Sequence, residues 1–181
     1  MPARIRPASA ADLAAIRWIY AHEVEHGTAT CEGAVPDADE MTRRWRTIVD
    51  GGYPCPVAEL DGHVAGYAHA SAYRAREGCR WTVEDSLYVD PAFRGRGVGH
   101  ALLSALIARC KALGYRSMVA VVGDAAKHAS IALHEHLGFH IAGRFPALGR
   151  KHGRWLENVQ MLRSLSASGT DPADPPLPAR D

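Results

Sequence analysis

The sequence predicts a mixed α/β domain in which four helices flank a mostly antiparallel central sheet of six to seven strands. The first observation is the order of the hydrophobic patterns along the chain, which we interpret as β-α-α-β-β-β-α-β-α-β-β. A hairpin-type run of strands that passes into strand–helix–strand is typical of a mixed sheet with helices on both faces. The second observation is size, because 181 residues suffice for one domain with a substantial core.

The amino-terminal part of the chain contains one strand and two helices. Residues 3–8 form the first strand, and Ser9 caps the following helix with Asp12 at the capping-box position. Apolar residues recur at helical spacing as far as Gly27, where we expect this helix to end. A loop follows, and residues 37–52 form a second helix that two glycines close.

The remaining elements alternate strands with two further helices. The dipeptide Asp61-Gly62 supplies a hairpin turn, and a β-branched run predicts a buried strand after the third helix. The elements are, in order, strands at residues 56–60 and 63–73, a polar loop at 74–80, a strand at 81–89, a helix at 97–113, a strand at 117–123, a helix at 127–139, and strands at 140–149 and 154–162.

The domain and its tail differ in composition. Residues 1–163 form the predicted domain, whereas residues 164–181 carry four prolines among the last ten positions and little to bury. A segment of this kind cannot offset the entropy of ordering, so we expect a flexible tail.

Composition argues against several functional classes. The formal net charge of +1 gives no basic excess, so we expect no nucleic-acid partner. No apolar run approaches the roughly 18 residues of a membrane span, and the amino terminus lacks the apolar centre of a signal peptide. The four cysteines include no C-x-x-C pair, which favours reduced thiols in a cytoplasmic protein.

The segment RGRGVG, at residues 94–99, stands between a strand and an amphipathic helix. Helix N-termini carry partner-free N–H groups and a partial positive charge, and glycines let a phosphate approach the backbone closely. The pattern therefore predicts a pyrophosphate-binding loop, with Arg94 and Arg96 adding charge. A tight strand–helix turn with solvated arginines is the alternative interpretation.

Two other phosphate-binding motifs do not fit this segment. A Walker loop needs G-x-x-x-x-G-K-[ST], which the chain lacks. The dinucleotide pattern G-x-G-x-x-G/A fails in both registers, because His100 and Leu102 stand where the third small residue is required.

The pattern R-x-x-G-x-G, met at Arg94, Gly97 and Gly99, resembles the acyl-CoA pyrophosphate loop of the GNAT acetyltransferase superfamily. The predicted topology also resembles the GNAT fold, over residues 5–161. Four segments, RWTVEDSLYVDP, VAVVGD, ASIALHEHLGF and GRKHGRWLE, are similar to the phosphinothricin and methionine sulfone acetyltransferase branch. The resemblance implies acetyl-CoA as co-substrate and a small amino-acid-like amine as acceptor, and we expect a homodimer.

The resemblance also indicates which residues contact acetyl-CoA. Backbone groups of the strand before the loop would pair with the pantetheine amides, and one N–H there would stabilise the thioester oxyanion. The expected contacts are Leu87, Tyr88, Val89, Arg94, Gly95, Arg96, Gly97, Val98, Gly99, His100, His128 and Ser130.

Glu84 lies on the strand that leads into the loop, and the resemblance implies that it is the general base. An alkyl ammonium must lose a proton before it can attack a thioester, and a nearby carboxylate can accept that proton. Asp85 is the next residue and so points to the opposite face. The alternative is that Glu84 is an exposed strand carboxylate without a catalytic role.

His134 occupies a helix position that commonly carries a tyrosine in GNAT enzymes. By that resemblance it would protonate the leaving CoA thiolate, or else hydrogen-bond pantetheine or a core polar group. A zinc site is not expected, because HEHLGFH has Gly138 where H-E-x-x-H needs its second histidine. We expect no metal.

The acceptor site of the similar branch falls on the loop after the third predicted strand of the sheet. Arg74 and Arg76 have the chemistry to bind an acceptor carboxylate, phosphinate or sulfone oxygen, although loop arginines are often merely solvated. An added acid in this loop should weaken the binding of anionic acceptors. The residues assigned to the acceptor are Tyr73, Arg74, Arg76, Glu77, Gly78 and Cys79.

Direct attack in a ternary complex is the expected mechanism, because no cysteine stands beside a histidine as an activated nucleophile would. Three alternatives remain at this point. One is a nucleotide-binding oxidoreductase with Asp124 as the ribose-binding acid, and another is an acyl-CoA sensor without turnover. The third is an acetyltransferase for a different amine, such as a polyamine or a protein N-terminus.

Overall fold

A computed structural model describes residues 2–166 of the chain. The helices and strands follow the predicted order, with boundaries that differ by a few residues. They are β1 Arg4–Pro7, α1 Leu13–His26, α2 Ala38–Asp50, β2 Pro56–Leu60, β3 His63–Ala72, β4 Thr82–Val89, α3 Val98–Ala112, β5 Ser117–Val122, α4 His128–His136, β6 His140–Lys151 and β7 Arg154–Ser164.

The seven described strands form one sheet in the order β1-β2-β3-β4-β5-β7-β6. β4 and β5 are parallel, and every other neighbouring pair is antiparallel. A parallel pair requires a crossover connection, which α3 provides between β4 and β5. The prediction of a mixed, mostly antiparallel sheet with four helices is confirmed.

Two hydrophobic cores lie on opposite faces of the sheet. α3 and α4 cover one face, where Leu102, Leu103 and Leu106 are fully buried. α1 and α2 cover the other face, where Ile16 and Ile19 pack beside Tyr67 of β3. Helices therefore lie on both faces, as predicted.

Local capping explains where the two amino-terminal helices begin. The Ser9 N–H and hydroxyl both donate to the Asp12 carboxylate, at 2.8 and 2.9 Å, so the predicted capping box is present. It caps a short 3-10 turn, Ala10–Asp12, that leads into α1. The Asp37 carboxylate accepts from the Glu40 N–H at 2.8 Å and caps α2.

The parallel strands β4 and β5 separate partway along their length. Their ladder runs from Thr82 paired with Ser117 to Asp85 paired with Ala120. β4 nevertheless continues to Val89, which remains paired with Gly66 of β3 on its other side. The last residues of β4 therefore present unpaired backbone groups toward β5, and this gap positions the candidate site.

The predicted tail begins later than expected. β7 extends to Ser164 and Leu165 is buried, whereas residues 167–181 of the predicted tail lie outside the described residues.

Within the part of the chain that the structure describes, no helix combines the length and apolar character that a membrane crossing requires.

Candidate active site

A cavity of about 710 Å³ fills the gap between β4 and β5. The start of α3, one side of α4 and the loop between α1 and α2 complete its walls. Most of the residues predicted to contact acetyl-CoA or to act in catalysis line it. They are Glu84, Leu87, Tyr88, Val89, Arg94, Gly95, Gly97, Val98, Gly99, His100, Ser130 and His134.

The glycine-rich loop has the geometry of an anion-binding site. Gly97 is the N-cap of α3 with φ 79°, and Gly95 has φ 73°, both in the left-handed region that disfavours other residues. The first intrahelical bond is donated by the Ala101 N–H to the Gly97 carbonyl at 3.0 Å. The N–H groups of residues 98–100 precede that bond, so they have no acceptor within the helix and are available to an anion.

Gly99 has a different role from Gly95 and Gly97. A Cβ at Gly99 would lie 3.3 Å from Leu133 Cδ2, whereas Cβ atoms at Gly95 and Gly97 would meet nothing within 4 Å. The absence of a side chain at Gly99 thus allows α3 to approach α4 closely at the cavity wall. Backbone conformation explains the other two glycines.

The two arginines of the loop point in different directions. Arg94 lines the cavity and pairs with Glu23 at 3.3 Å, with its side chain about half exposed. Arg96 pairs instead with Asp61 of the β2–β3 turn at 2.8 Å and lies over the Phe93 ring. Arg96 and His128, both predicted to contact acetyl-CoA, do not line the cavity; His128 is exposed at the start of α4.

Glu23 of α1 is a buried carboxylate that sequence analysis did not identify. It accepts from Lys127 Nζ at 3.0 Å and from the Ala29 N–H at 2.9 Å, in addition to its pair with Arg94. Burial opposes its charge, but these donors outweigh burial and lower the pKa of Glu23. A Cβ at Gly27 would lie 1.8 Å from Glu23 Oε1, so a side chain there would displace the carboxylate from its present position.

Glu84 combines partial burial with the absence of a partner. Its carboxylate forms no hydrogen bond or ion pair with another residue in the described range 2–166, and the residue lines the cavity. Burial raises the pKa of Glu84, and the neighbouring Asp85 charge adds to that shift. A half-buried carboxylate with a raised pKa is suited to accept a proton near neutral pH.

Asp85 and His134 form a buried pair on the face opposite to Glu84, as the alternation along β4 predicted. His134 Nε2 lies 3.2 Å from Asp85 Oδ2, and His134 Nδ1 lies 2.7 Å from the Ser130 carbonyl oxygen. A carbonyl only accepts, so Nδ1 carries a proton, and a second proton lies between Nε2 and the carboxylate. Burial acts to lower the pKa of His134, but Asp85 and the Ser130 carbonyl outweigh it, so that pKa is raised.

The predicted acceptor residues lie on the β3–β4 loop and outside the cavity lining. Arg74 is exposed and lies over the Tyr73 ring, and Arg76 is exposed before the short 3-10 turn Glu77–Cys79. The loop starts where the Tyr73 N–H donates to the Thr82 carbonyl at 3.3 Å, two residues before Glu84. The arginines are thus attached at the same end of the β3–β4 hairpin as Glu84.

Asp124, the ribose-binding acid of the oxidoreductase alternative, is occupied within the protein. Its carboxylate accepts from the Thr28 hydroxyl at 2.8 Å, from the Ala126 N–H at 3.0 Å and from Arg154. It is 3% exposed and connects the loop after α1 to the loop after β5. This arrangement argues for a structural role.

Several other residues of the cavity were not assigned to it from sequence. Asn158 of β7, with Thr30 and Cys31 of the loop after α1, lines it beside Glu23 and Lys127. The sequence offers Lys127 at the start of α4 as a further candidate for phosphate or pantetheine contact. No motif marks the others, because contacts between residues far apart in sequence place them there.

Comparisons with known proteins identify the family to which the chain belongs. Residues 14–139 match the family model described as the acetyltransferase (GNAT) family. The chain is 47% identical over 159 residues to a phosphinothricin N-acetyltransferase of Alcaligenes faecalis, covering 88% of this chain and 81% of that protein. It is 42% identical over 161 residues to an L-methionine sulfoximine/L-methionine sulfone acetyltransferase of Salmonella typhimurium, covering 89% and 94%.

A solved structure is also very similar. It is that of a GNAT superfamily phosphinothricin acetyltransferase from Sinorhizobium meliloti in complex with AcCoA. The TM-score is 0.93 at 49% sequence identity, and the match covers 96% of this chain and 95% of that one.

Proposed function

This chain belongs to the GNAT acetyltransferase family, and from that premise we propose that it transfers acetyl from acetyl-CoA to the amino group of a small amino-acid-like acceptor. It is an N-acetyltransferase that uses acetyl-CoA as co-substrate. The acceptor class is that of phosphinothricin, methionine sulfone and methionine sulfoximine. The observation that carries the proposal is one cavity holding both a free helix N-terminus and the partner-free carboxylate of Glu84.

Acetyl-CoA would bind along the open edge of β4. Its pyrophosphate would accept from the N–H groups of residues 98–100, with Arg94 supplying positive charge. The unpaired backbone of residues 87–89 would pair with the pantetheine amides in the manner of an added strand. An N–H of the same stretch would stabilise the oxyanion of the thioester during attack.

Glu84 would then act as the general base. It accepts a proton from the acceptor ammonium, directly or through water, and the free amine attacks the thioester carbonyl carbon. The C–N bond forms and the C–S bond breaks, so that the products are the acetamide, the coenzyme thiol and one proton released to solvent. The four cysteines are free, and Cys55 and Cys110 have pKa values raised to about 12 by burial, which does not favour a cysteine nucleophile.

His134 would protonate the departing thiolate in this scheme. It lines the cavity, and its Nε2 proton, which is shared with Asp85, would have to turn from that carboxylate to the thiolate for the transfer. A thiolate is a good leaving group with a thiol pKa near 8.5, so the contribution of the acid should be modest. A purely structural hydrogen bond to Ser130 and Asp85 is the alternative role.

We expect His134→Gln to lower kcat about tenfold, less than the usual 10²–10⁴-fold effect of a general acid, because the thiolate leaves readily. Since the pKa of His134 is raised, the wild-type rate should fall as pH rises through that value. Measurement of kcat against pH should show that this alkaline limb is missing in the variant. His136→Gln, at an exposed position of the same helix, is the control. An alkaline limb that persists in His134→Gln would contradict the acid role.

The acceptor carboxylate would be held by the β3–β4 loop. Arg74 and Arg76 lie in the same loop as Tyr73. This loop joins β3 to β4 at the end of the hairpin where Glu84 lies. Glu77, Gly78 and Cys79 complete the segment assigned to the acceptor. A guanidinium can form charge-assisted hydrogen bonds with a carboxylate while the amine faces Glu84.

Replacement of Arg76 by alanine is expected to raise the acceptor KM about tenfold, the value of one charge-assisted hydrogen bond, with kcat little changed. Steady-state kinetics at saturating acetyl-CoA would measure both constants. Arg109→Ala, an exposed arginine on α3 that lines neither the cavity between β4 and β5 nor the one beneath α2, is the matched control. An unchanged acceptor KM would mean that Arg76 is a solvent-exposed loop residue that does not bind the acceptor.

A thiol-release assay tests the function as a whole. Acetyl-CoA with a panel of amino acids, polyamines and lysine peptides should give the fastest release of coenzyme with methionine sulfone, methionine sulfoximine or phosphinothricin. A higher kcat/KM for spermidine or a peptide would contradict the acceptor class. Binding of acetyl-CoA without release by any amine would favour a sensor.

We further propose a cytoplasmic homodimer. The described cysteines Cys31, Cys55, Cys79 and Cys110 are all free, which fits a reducing compartment. The β6–β7 hairpin forms one edge of the sheet and exposes Phe145, Leu148 and Trp155 at 41%, 61% and 65%. Exposed apolar side chains on an edge hairpin suit an interface between two copies of the chain. Sedimentation velocity should show a dimer, and a monomer would contradict this proposal.

A further inference from the structure

A second cavity, of about 470 Å³, lies between the sheet and the helices α1 and α2. Its floor is formed by β3 and β4, and its roof by α2. It is distinct from the cavity between β4 and β5, although Ser86 and Tyr88 line both.

The sheet register places this second cavity beside Glu84. Ser71 of β3 is paired with Glu84 in the antiparallel ladder, and the side chains of a pair lie on the same face. Ser86, two residues after Glu84 on the same strand, also faces this side. Both serines line the second cavity, so its near end adjoins the proposed base.

Two polar atoms at this cavity are buried without a hydrogen-bond partner in the described part of the chain. They are Trp45 Nε1 and His69 Nδ1, which belong to residues on the roof and the floor respectively. Buried donors and acceptors are costly to leave unpaired, so they point to a bound polar group. The floor also carries the stacked rings of Tyr67 and Tyr88, 5.3 Å apart.

The lining offers hydrogen bonds but no unpaired positive charge in the described residues. Arg43 and Arg44 are both bonded to Glu40, and Arg44 is bonded to Glu32 as well. Burial lowers the pKa of His69 to about 4, so its imidazole is neutral. An anion that entered this cavity would lose hydration without gaining a counter-charge, whereas a neutral oxygen acceptor would meet the indole N–H and several hydroxyls.

We propose that this cavity receives the side chain of the acceptor amino acid and that it selects an uncharged sulfone or sulfoximine over an anionic phosphinate. This inference rests on the proposed function, because it needs an amino-acid acceptor whose amine faces Glu84. In methionine sulfone, only four bonds separate the amine nitrogen from the sulfur. This short distance suits a cavity whose near end is Ser71, the residue paired with Glu84 in the ladder. Trp45 and His69 are then specificity-determining residues.

The test compares kcat/KM for methionine sulfone and for phosphinothricin at saturating acetyl-CoA. The wild-type protein should prefer methionine sulfone by at least about tenfold, because a charge is costly to bury without a partner. Trp45→Phe should raise the KM for methionine sulfone about tenfold with kcat retained, and should alter the KM for phosphinothricin less. Trp81→Phe also removes a buried indole N–H without a partner in the described chain, but outside both cavities, and should leave both KM values unchanged.

The outcomes separate this inference from the proposed function. Equal or faster acetylation of phosphinothricin, or equal effects of Trp45→Phe on the two substrates, would overturn the side-chain site while leaving the acetyltransferase activity intact. Absence of transfer to either substrate would instead refute the proposed acceptor class. A fluorescence thermal-shift measurement would verify that Trp45→Phe remains folded, and His69→Phe would test the same cavity from its floor.

Discussion

Glu84→Gln should lower kcat by roughly 10²–10⁴-fold, the usual contribution of a general base, without altering the affinity for acetyl-CoA. Glutamine has nearly the same shape but cannot accept a proton from the acceptor ammonium. The Glu84 carboxylate has no partner among residues 2–166, and the substitution leaves the backbone pairing with Ser71 intact, so the fold should be retained. Steady-state kinetics with both substrates saturating would measure kcat, and calorimetry would measure the Kd for acetyl-CoA.

The same variant has a signature in the pH profile. Burial and then the Asp85 charge raise the pKa of Glu84, so the wild-type rate should fall as pH decreases through that raised value. The acid limb should therefore lie above the ordinary glutamate pKa of 4.5 and should be absent in Glu84→Gln. Glu135→Gln, an exposed position on α4, serves as the control. A loss of less than tenfold would mean that Glu84 is not the base.

The order of helices and strands could be predicted from local hydrophobic patterns, because each pattern shows which face of an element is buried. Ser9 and Asp12 marked the entry to α1, and Asp61-Gly62 marked the β2–β3 turn, where Asp61 has φ 54° and Gly62 φ 78°. The strands β6 and β7 were predicted too short by two residues each at their carboxyl ends. The extra residues of β6 pair with the start of β7, and those of β7 pair with the start of β5. All four extra residues are polar, so no hydrophobic pattern marks them.

Residues of the candidate site could be predicted from sequence where their role depends on neighbouring residues, but not where it depends on partners far away in the chain. The glycine-rich loop was recognisable because the chemistry of a helix N-terminus is local. Glu23 was not recognisable, since its partner Lys127 is 104 positions away and a single acid on a helix usually faces water. Asp85 was assigned only to the opposite face of β4, because its pairing with His134 depends on how α4 packs against the sheet.

The arginines of the loop show a second reason for incomplete prediction. Arg94 and Arg96 are equivalent in the sequence pattern, but only Arg94 lines the cavity. Arg96 is drawn to Asp61, 35 positions earlier, at the tip of the neighbouring hairpin. Side-chain direction at an exposed turn is decided by such competing charges, which sequence spacing does not report.

Gly97→Val is expected to weaken acetyl-CoA binding about 10–100-fold with little change in kcat at saturation. Gly97 has φ 79°, and a residue with a Cβ pays roughly 1–2 kcal/mol or more in that region. The added side chain would meet no atom within 4 Å, so a steric clash within the protein is not the cause. The loop should relieve the strain by changing its backbone angles, which turns the N–H groups of residues 98–100 away from the pyrophosphate.

Gly52→Val is the control that separates the loss of pyrophosphate binding at the loop from the destabilisation that backbone strain causes anywhere in the chain. Gly52 follows α2 with φ 75°, and a Cβ there would also meet nothing within 4 Å. The two variants should therefore lose similar unfolding free energy in urea, while calorimetry should detect weaker acetyl-CoA binding only for Gly97→Val. Equal affinity in the wild-type protein and in folded Gly97→Val would mean that the N-terminus of α3 does not bind the pyrophosphate. In that case Arg94 and Lys127, the cations that Glu23 holds at the cavity wall, would be left as the groups available to bind it.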